Sequence, residues 1–355
     1  MDSNINILNS KAKDYHKISV APMLGISTPQ FRYFMRLLSR HSTLYTEMVH
    51  HDTILHRDYK QILEFDEIEH PVVLQLGGND PERLGLAAKY AKELGYDEIN
   101  LNCGCPSNKV QEASFGAYLM SYPDLVAECT NSIYKHSNIE VTVKCRLGLN
   151  KDNDEFLDNF IETVSKKGNV SHFIMHARLA IMNIDPVKNR SIPPLNYKKV
   201  YDLRKKYNHI NFSINGGIKD VKEITNVLDE SNDLAGCMIG RAAYDNPWLF
   251  SDFDRVFYKK ANPGYSRKEI LYKYSDYCDK VLEYKSKGIV FELVKPILYL
   301  CSGEPYSTVY KNELTKVVNY MKENECNFSD FIKHTIDLYE KDNNTSLDKT
   351  PPNLN

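Results

Sequence analysis

The sequence predicts an α/β fold, a (β/α)8 TIM barrel followed by a small C-terminal helical domain, and three observations carry the prediction. Short apolar runs rich in branched residues alternate with helical patterns eight times between residues 18 and 243. That alternation fills about 225 residues, the usual span of one such barrel. Beyond residue 262 the pattern becomes wholly helical. An open doubly wound sheet is the alternative for the same alternating units.

The strand candidates, in order, are ISVAPM (18–23), TLYTEMV (43–49), PVVLQLG (71–77), DEINLNCG (97–104), EVTVKCRLG (140–148), SHFIMHAR (171–178), NFSINGGI (211–218) and LAGCMIGRA (234–242). Between them lie segments such as PERLGLAAKYAKELG and YPDLVAECTNSIYKH, with apolar residues at helical spacing and a proline near the start. The later segments SRKEILYKYSDYCDKVLEYKSKG, VFELVKPILYLCSG and YKNELTKVVNYMKEN read as helices with apolar stripes and lysines on their outer faces. The expected organisation is an N-terminal extension (1–17), a barrel (18–262), a helical domain (263–340) and a disordered tail (341–355), the last because KDNNTSLDKTPPNLN has too little apolar surface to order itself.

Composition narrows the class. With 42% hydrophobic and 26% charged residues over 355 positions, the chain reads as a soluble globular protein. A net charge of −2 excludes a globally basic nucleic-acid binder and leaves room for a local basic patch. The eight cysteines are scattered, several inside apolar runs, and no secretory signal or membrane-length apolar run is seen, so a reducing, cytoplasmic setting is expected, with organelle delivery left open.

In a barrel, chemistry gathers at the C-terminal ends of the strands. Gln75, Lys144, His176 and Asn215 each stand there, where an apolar residue would pack more cheaply. Burying one such group without partners costs about 1–3 kcal/mol, so four at matching positions point to a shared polar ligand. After strands seven and eight, Asn215-Gly216-Gly217 and Gly240-Arg241 suit a phosphate, since glycine lets backbone approach an anion and arginine adds a bidentate contact.

Cys103-Gly104-Cys105 has no second pair to complete a zinc site and one residue too few for a thioredoxin-like pair. Cys103 continues the strand and reads as packing. Cys105 stands on the rim between Gly104 and Pro106, where a thiol that keeps its proton near neutral pH can serve as a general acid.

The ordered series APM (21–23), LQLGGNDPE (74–82), YDEINLNCGCPSNKVQEASFGAYLM (96–120), VKCRLG (143–148), HARLA (176–180), NRSIPPLNY (189–197), INGGI (214–218) and MIGRAAYDNPWLF (238–250) resembles the tRNA-dihydrouridine synthases, specifically their A branch. The resemblance implies an FMN enzyme that uses NADPH to reduce the 5,6 double bond of uridines in the tRNA D-loop. It implies that Pro22, Met23 and Leu24 lie along the flavin, that Gln75 and Lys144 contact its ring, and that His176 lies near ring and phosphate. Asn215, Gly216, Gly217, Gly240 and Arg241 would hold the phosphate end, with Cys105 as proton donor. Asn100, Asn102 and Gly104 are then expected on the substrate side.

The resemblance also implies that the C-terminal helices face tRNA, and here the sequence departs from the family. After LVKP the family has an aromatic-His-Gly step, whereas this chain reads LYLCSGEPYSTVYKNEL with Ser302 at the histidine position. Lys109, Arg178, Lys188 and Arg190 are the better candidates for phosphate contacts. The expected partners are tRNA and NADPH, without metal or membrane. Two rivals remain: an FMN barrel acting on a free pyrimidine, of the dihydroorotate or dihydropyrimidine dehydrogenase kind, and a tRNA-binding protein with a vestigial flavin pocket.

Overall fold

The computed structural model describes residues 14–229, 232–343 and 346–353; of the expected N-terminal extension only residues 14–17 fall among these. Eight strands close into one parallel barrel in sequential order: β1 (Ile18–Val20), β2 (Thr43–His50), β3 (Val72–Gly77), β4 (Glu98–Cys103), β5 (Val141–Arg146), β6 (His172–His176), β7 (Asn211–Asn215) and β8 (Gly236–Ile239). β8 pairs with β1 through Ile18–Cys237 and Val20–Ile239, so no edge is left open.

The helices begin where short polar residues can cap them. Asp80 accepts a hydrogen bond from the Arg83 amide at the start of Pro81–Leu94, whose end is turned by Gly95 at φ +88°. Asn153 and Asp220 cap Asp154–Gly168 and Val221–Val227 in the same way.

The chain forms two compact units. Among the described residues, one holds those up to Leu24 together with those of Thr43–Gly240, and so all eight strands. The other joins Gly25–Ser42 to the described residues from Arg241 onward. The helix Pro29–Leu38, which follows β1 in the chain, therefore belongs with the C-terminal helices. Tyr33 stacks on Tyr277 at 3.8 Å, Phe34 meets Tyr274 edge-on, and Ser39 donates to Asp254 at 2.6 Å. This grouping by packing crosses the chain-order boundary read at residue 262.

The second unit is built around Arg267–Tyr284, opened by a capping box between Ser266 and Glu269. Arg267 is buried, stacks on Trp248 at 4.0 Å, donates to the Leu300 carbonyl and pairs with Glu304, so it pins the segment around Ser302. The expected tail departs from its reading: Leu347 is buried, its amide donates to Glu340 and its carbonyl accepts from Lys268. One leucine and two hydrogen bonds thus attach the segment around Leu347 to the helix Arg267–Tyr284 and to Glu340. Among the described residues no helix is long and apolar enough to cross a membrane.

Candidate active site

The barrel floor sets the register of the mouth. Glu98, fully buried at the start of β4, accepts from Thr142 Oγ1 at 2.6 Å and Tyr45 Oη at 3.4 Å, and its other oxygen lies 3.2 Å from His16 Nε2. Ala21, Tyr45, Val73, Ile174 and Met238 form a buried apolar cluster, with Met23 packed against them.

Period-2 alternation on β4 then sends Asn100 and Asn102 to the same face as Glu98. Asn100 donates to Thr142 Oγ1 at 2.9 Å and accepts from Gln75 Nε2 at 2.8 Å. Gln75 Oε1 accepts from Asn102 Nδ2 at 2.9 Å, and Asn102 Oδ1 accepts the amides of Gly104 and Cys105 at 3.1 and 3.0 Å. A polar ladder therefore climbs from the floor to the loop that carries Cys105. Asn100 and Gln75, expected at the ligand, are the buried rungs, and Asn102 is the rung at the rim.

The loop is closed from above by SFGAYLM. The Ala117 amide donates to the Cys105 carbonyl at 2.9 Å, and Gly116 at φ +64° is required because a Cβ there would lie 2.7 Å from that carbonyl oxygen. Cys103 is fully buried, in keeping with a packing role, and Cys105 is partly exposed.

On the next strands the arrangement changes. Lys144 sits opposite Asn102 in the β4–β5 register, and its ammonium has no hydrogen-bonding or ion-pair partner among the described residues. Burial, aided by the Arg146 charge, lowers its pKa to about 8. His176 lies level with Arg146 on one side and Asn215 on the other. Burial pushes its pKa well down, and the charges of Arg146, Lys144, Arg178 and Arg190 push it further. Asn215 donates to the Met238 carbonyl at 2.8 Å. Gly216, at φ +113°, passes so close to His176 that a Cβ would meet the imidazole at 2.7 Å. Gly217 follows with φ +76°, and the Tyr197 hydroxyl donates to the Gly216 carbonyl at 2.5 Å.

Pro22 and Met23 are partly exposed, Leu24 is exposed, and a Cβ on Gly240 would face Met23 at 4.0 Å. Arg241 is exposed at the start of the helix Arg241–Asp245. Arg178, Lys188 and Arg190 ride on the long loop after β6, where Arg190 Nε is buried without a hydrogen-bonding partner. The Lys109 side chain lies outside the described residues.

Sequence reasoning missed Arg146, the last residue of β5 and two positions beyond Lys144 on the same face. The alternation Thr142, Lys144, Arg146 was the signal for it. It also missed His50, His51 and Asp52 at the end of β2, where the two imidazoles are held below their ordinary pKa chiefly by burial and Arg83 is bonded to the Asp52 carboxylate.

Residues 19–336 match the model of the family described as dihydrouridine synthase (Dus). The chain belongs to the dihydrouridine synthase family. Its relatives include the tRNA-dihydrouridine(20/20a) synthase of Synechocystis sp. (strain ATCC 27184 / PCC 6803 / Kazusa), 42% identical over 84% of this chain and 88% of that protein. Proteins of the same name from Vibrio cholerae serotype O1 and Escherichia coli (strain K12) are 43% and 42% identical, over 75% and 84% of this chain and 81% and 86% of theirs. The match to the dihydrouridine synthase family covers every strand but the first residue of β1.

Proposed function

We propose that this dihydrouridine synthase family member reduces the 5,6 double bond of D-loop uridines in tRNA, with FMN as resident cofactor and NADPH as reductant. The observation that carries the reading is the placement of Cys105, held by two backbone amides on Asn102 at the mouth beside an unpartnered Lys144.

The residues present fit a flavin mononucleotide. Four cations bear on His176, which favours an anionic ligand, and Gly216 and Gly217 leave bare backbone where side chains would block its approach. Pro22, Met23, Leu24, Gln75, Lys144 and His176 would line the ring, and Asn215, Gly216, Gly217, Gly240 and Arg241 the phosphate. A flavin held by these residues would supply the hydride chemistry that carries reducing equivalents from NADPH to the uracil.

The chain's own part is proton supply and electrostatics. Cys105 gives its thiol proton to carbon 5 of the base. Lys144, still largely protonated near neutral pH, stabilises negative charge within the mouth. His176 stays uncharged at that pH, so it serves as a hydrogen-bonding group and adds no further positive charge. The target uridine must leave its stack to reach Cys105, and contacts from Lys109, Arg178, Lys188 and Arg190 to the RNA backbone would offset that.

The test is anaerobic: reduce the purified enzyme with NADPH, then follow flavin absorbance after adding an unmodified tRNA transcript or, separately, orotate and uracil. Reoxidation by the transcript, with dihydrouridine recovered from it, is expected. Reoxidation by a free pyrimidine alone would transfer the reading to a small-molecule dehydrogenase.

A further inference from the structure

Arg146 is 3% exposed, and its guanidinium touches two different loops. Nε donates to the carbonyl of Gly104, the residue before Cys105, at 3.2 Å. Nη1 donates to the carbonyls of Leu179 at 3.0 Å and Asn189 at 3.2 Å, both in the loop after β6. That loop is itself built around a fully buried Asn189, whose side chain accepts from the Ile181 amide and donates to the carbonyls of Ile181 and Ile184. Its base is closed by the Asn196 amide on the Ala177 carbonyl, and Arg178 is bonded to the Pro193 carbonyl.

A buried guanidinium carries a large desolvation cost, offset here by carbonyl acceptors rather than by a carboxylate. Burial lowers its pKa only to about 10, so it is charged throughout the neutral range. A planar fork reaches acceptors on two sides at once, which a single ammonium does not.

We propose that Arg146 is a positioning residue, a strut that fixes the Cys105 loop against the loop spanning Ala177–Asn196 so that substrate held on the latter is aligned with the proton donor. The proposal deepens the reading of Cys105 as proton donor and rests on it. It assigns Arg146 no contact with the reacting atoms. Its effect as a strut falls mainly on the step in which the base is reduced.

The experiment uses the flavin-loaded full chain with Arg146→Met and Arg146→Lys. With flavin loading matched by absorbance, flavin reduction by NADPH is expected to change far less than reoxidation in both. Reoxidation by saturating unmodified tRNA transcript should slow by about 10²-fold in Arg146→Met, the effect of displacing a reacting group by about 1 Å. Arg146→Lys should fall between that variant and wild type. Carbamidomethylation of the Cys105 peptide by iodoacetamide, read by mass spectrometry, should change several-fold in rate in both variants as the loop loosens. Wild-type reoxidation in either variant overturns the strut, as does equal slowing of both half-reactions, which a general loss of structure would give. If Arg146→Met does not fold, Arg146→Lys decides by the same readings. If wild-type enzyme is itself inert to transcript, the proton-donor reading fails, and the Cys105 alkylation rates still judge the strut: equal rates in wild type and variants overturn it.

Discussion

On the β3–β4 side of the mouth, every side-chain amide of Gln75, Asn100 and Asn102 has both its donor and its acceptor engaged. On the β5–β6 side, the side chains of Lys144 and His176 make no hydrogen bond to any described residue, and Arg190 Nε is buried without one. The first wall behaves as a finished piece of protein core, satisfied before anything binds. The second holds charge and hydrogen-bonding capacity in reserve, an arrangement that costs stability in the free protein and that the proposed anionic ligand would relieve. Cys105 stands at their junction, oriented by the finished wall and facing the unfinished one. The difference teaches that the side-chain ladder of β3 and β4 is satisfied within the protein while the unpartnered groups lie on β5 and β6, with Arg146 of β5 the member of the second wall that is itself engaged.

The largest effect is expected at the junction. Cys105→Ala should leave a yellow protein that oxidises NADPH while dihydrouridine formation falls by about 10²–10⁴-fold, the usual share of a general acid. Full product formation from this variant, measured by nucleoside analysis of treated tRNA, would remove the thiol from the mechanism.

The walls themselves should respond in opposite directions. Asn100→Ala leaves Thr142 and Gln75 with broken bonds in the core and should lower stability by about 1–3 kcal/mol in urea titration. Lys144→Met removes an unpartnered charge from a buried site, so the flavin-free protein should be at least as stable as wild type while FMN affinity drops. Loss of stability in the flavin-free Lys144→Met protein would mean that the lysine has a structural partner after all, and the contrast between the walls would collapse.

Much of this was legible along the chain, for a physical reason. Parallel barrel strands are buried on both faces, so they stand out as apolar runs, and a polar residue inside one is conspicuous: Gln75, Lys144, His176 and Asn215 were visible in that way. What the pattern does not carry is whom a polar residue faces. Asn100 was read at the substrate side, and its place in the ladder was not visible, because that depends on Gln75 and Thr142, residues 25 and 42 positions away in the chain. Arg146 escaped notice at a strand end, where a charged residue is ordinary. The assignment of Pro29–Leu38 to the C-terminal unit was equally hidden, since it rests on Tyr33 meeting Tyr277. The order around Leu347 depends on partners supplied by Lys268 and Glu340, which composition of the tail alone does not report.

A smaller effect is expected from the RNA side of the unfinished wall. Arg190→Glu should weaken tRNA binding and reduce the slope of log affinity against log salt by about 1, one phosphate contact's worth. An unchanged slope across a salt series would take Arg190 out of the backbone contacts and leave Lys188 and Arg178 to supply them.

The smallest effect is the most direct probe of the comparison, because it reads Lys144 in the folded protein. Its pKa is lowered from 10.5 to about 8, with burial the main cause and Arg146 the next. Between those values the unfolded chain carries a proton that the native lysine has lost, so unfolding free energy rises with pH across the window. Below about 8 both states are protonated and the full penalty of the buried charge is present. In flavin-free protein, the stability advantage of Lys144→Met over wild type should therefore be largest at neutral pH and shrink as pH climbs from 8 toward 10. Urea midpoints measured over that range read the difference, and a constant gap would contradict the lowered pKa. Adding FMN sharpens the test: an anion beside Lys144 favours its charged form, raises its pKa and moves the window upward. A window that stays in place with FMN bound would put the lysine away from the ligand and leave the unfinished wall without its explanation.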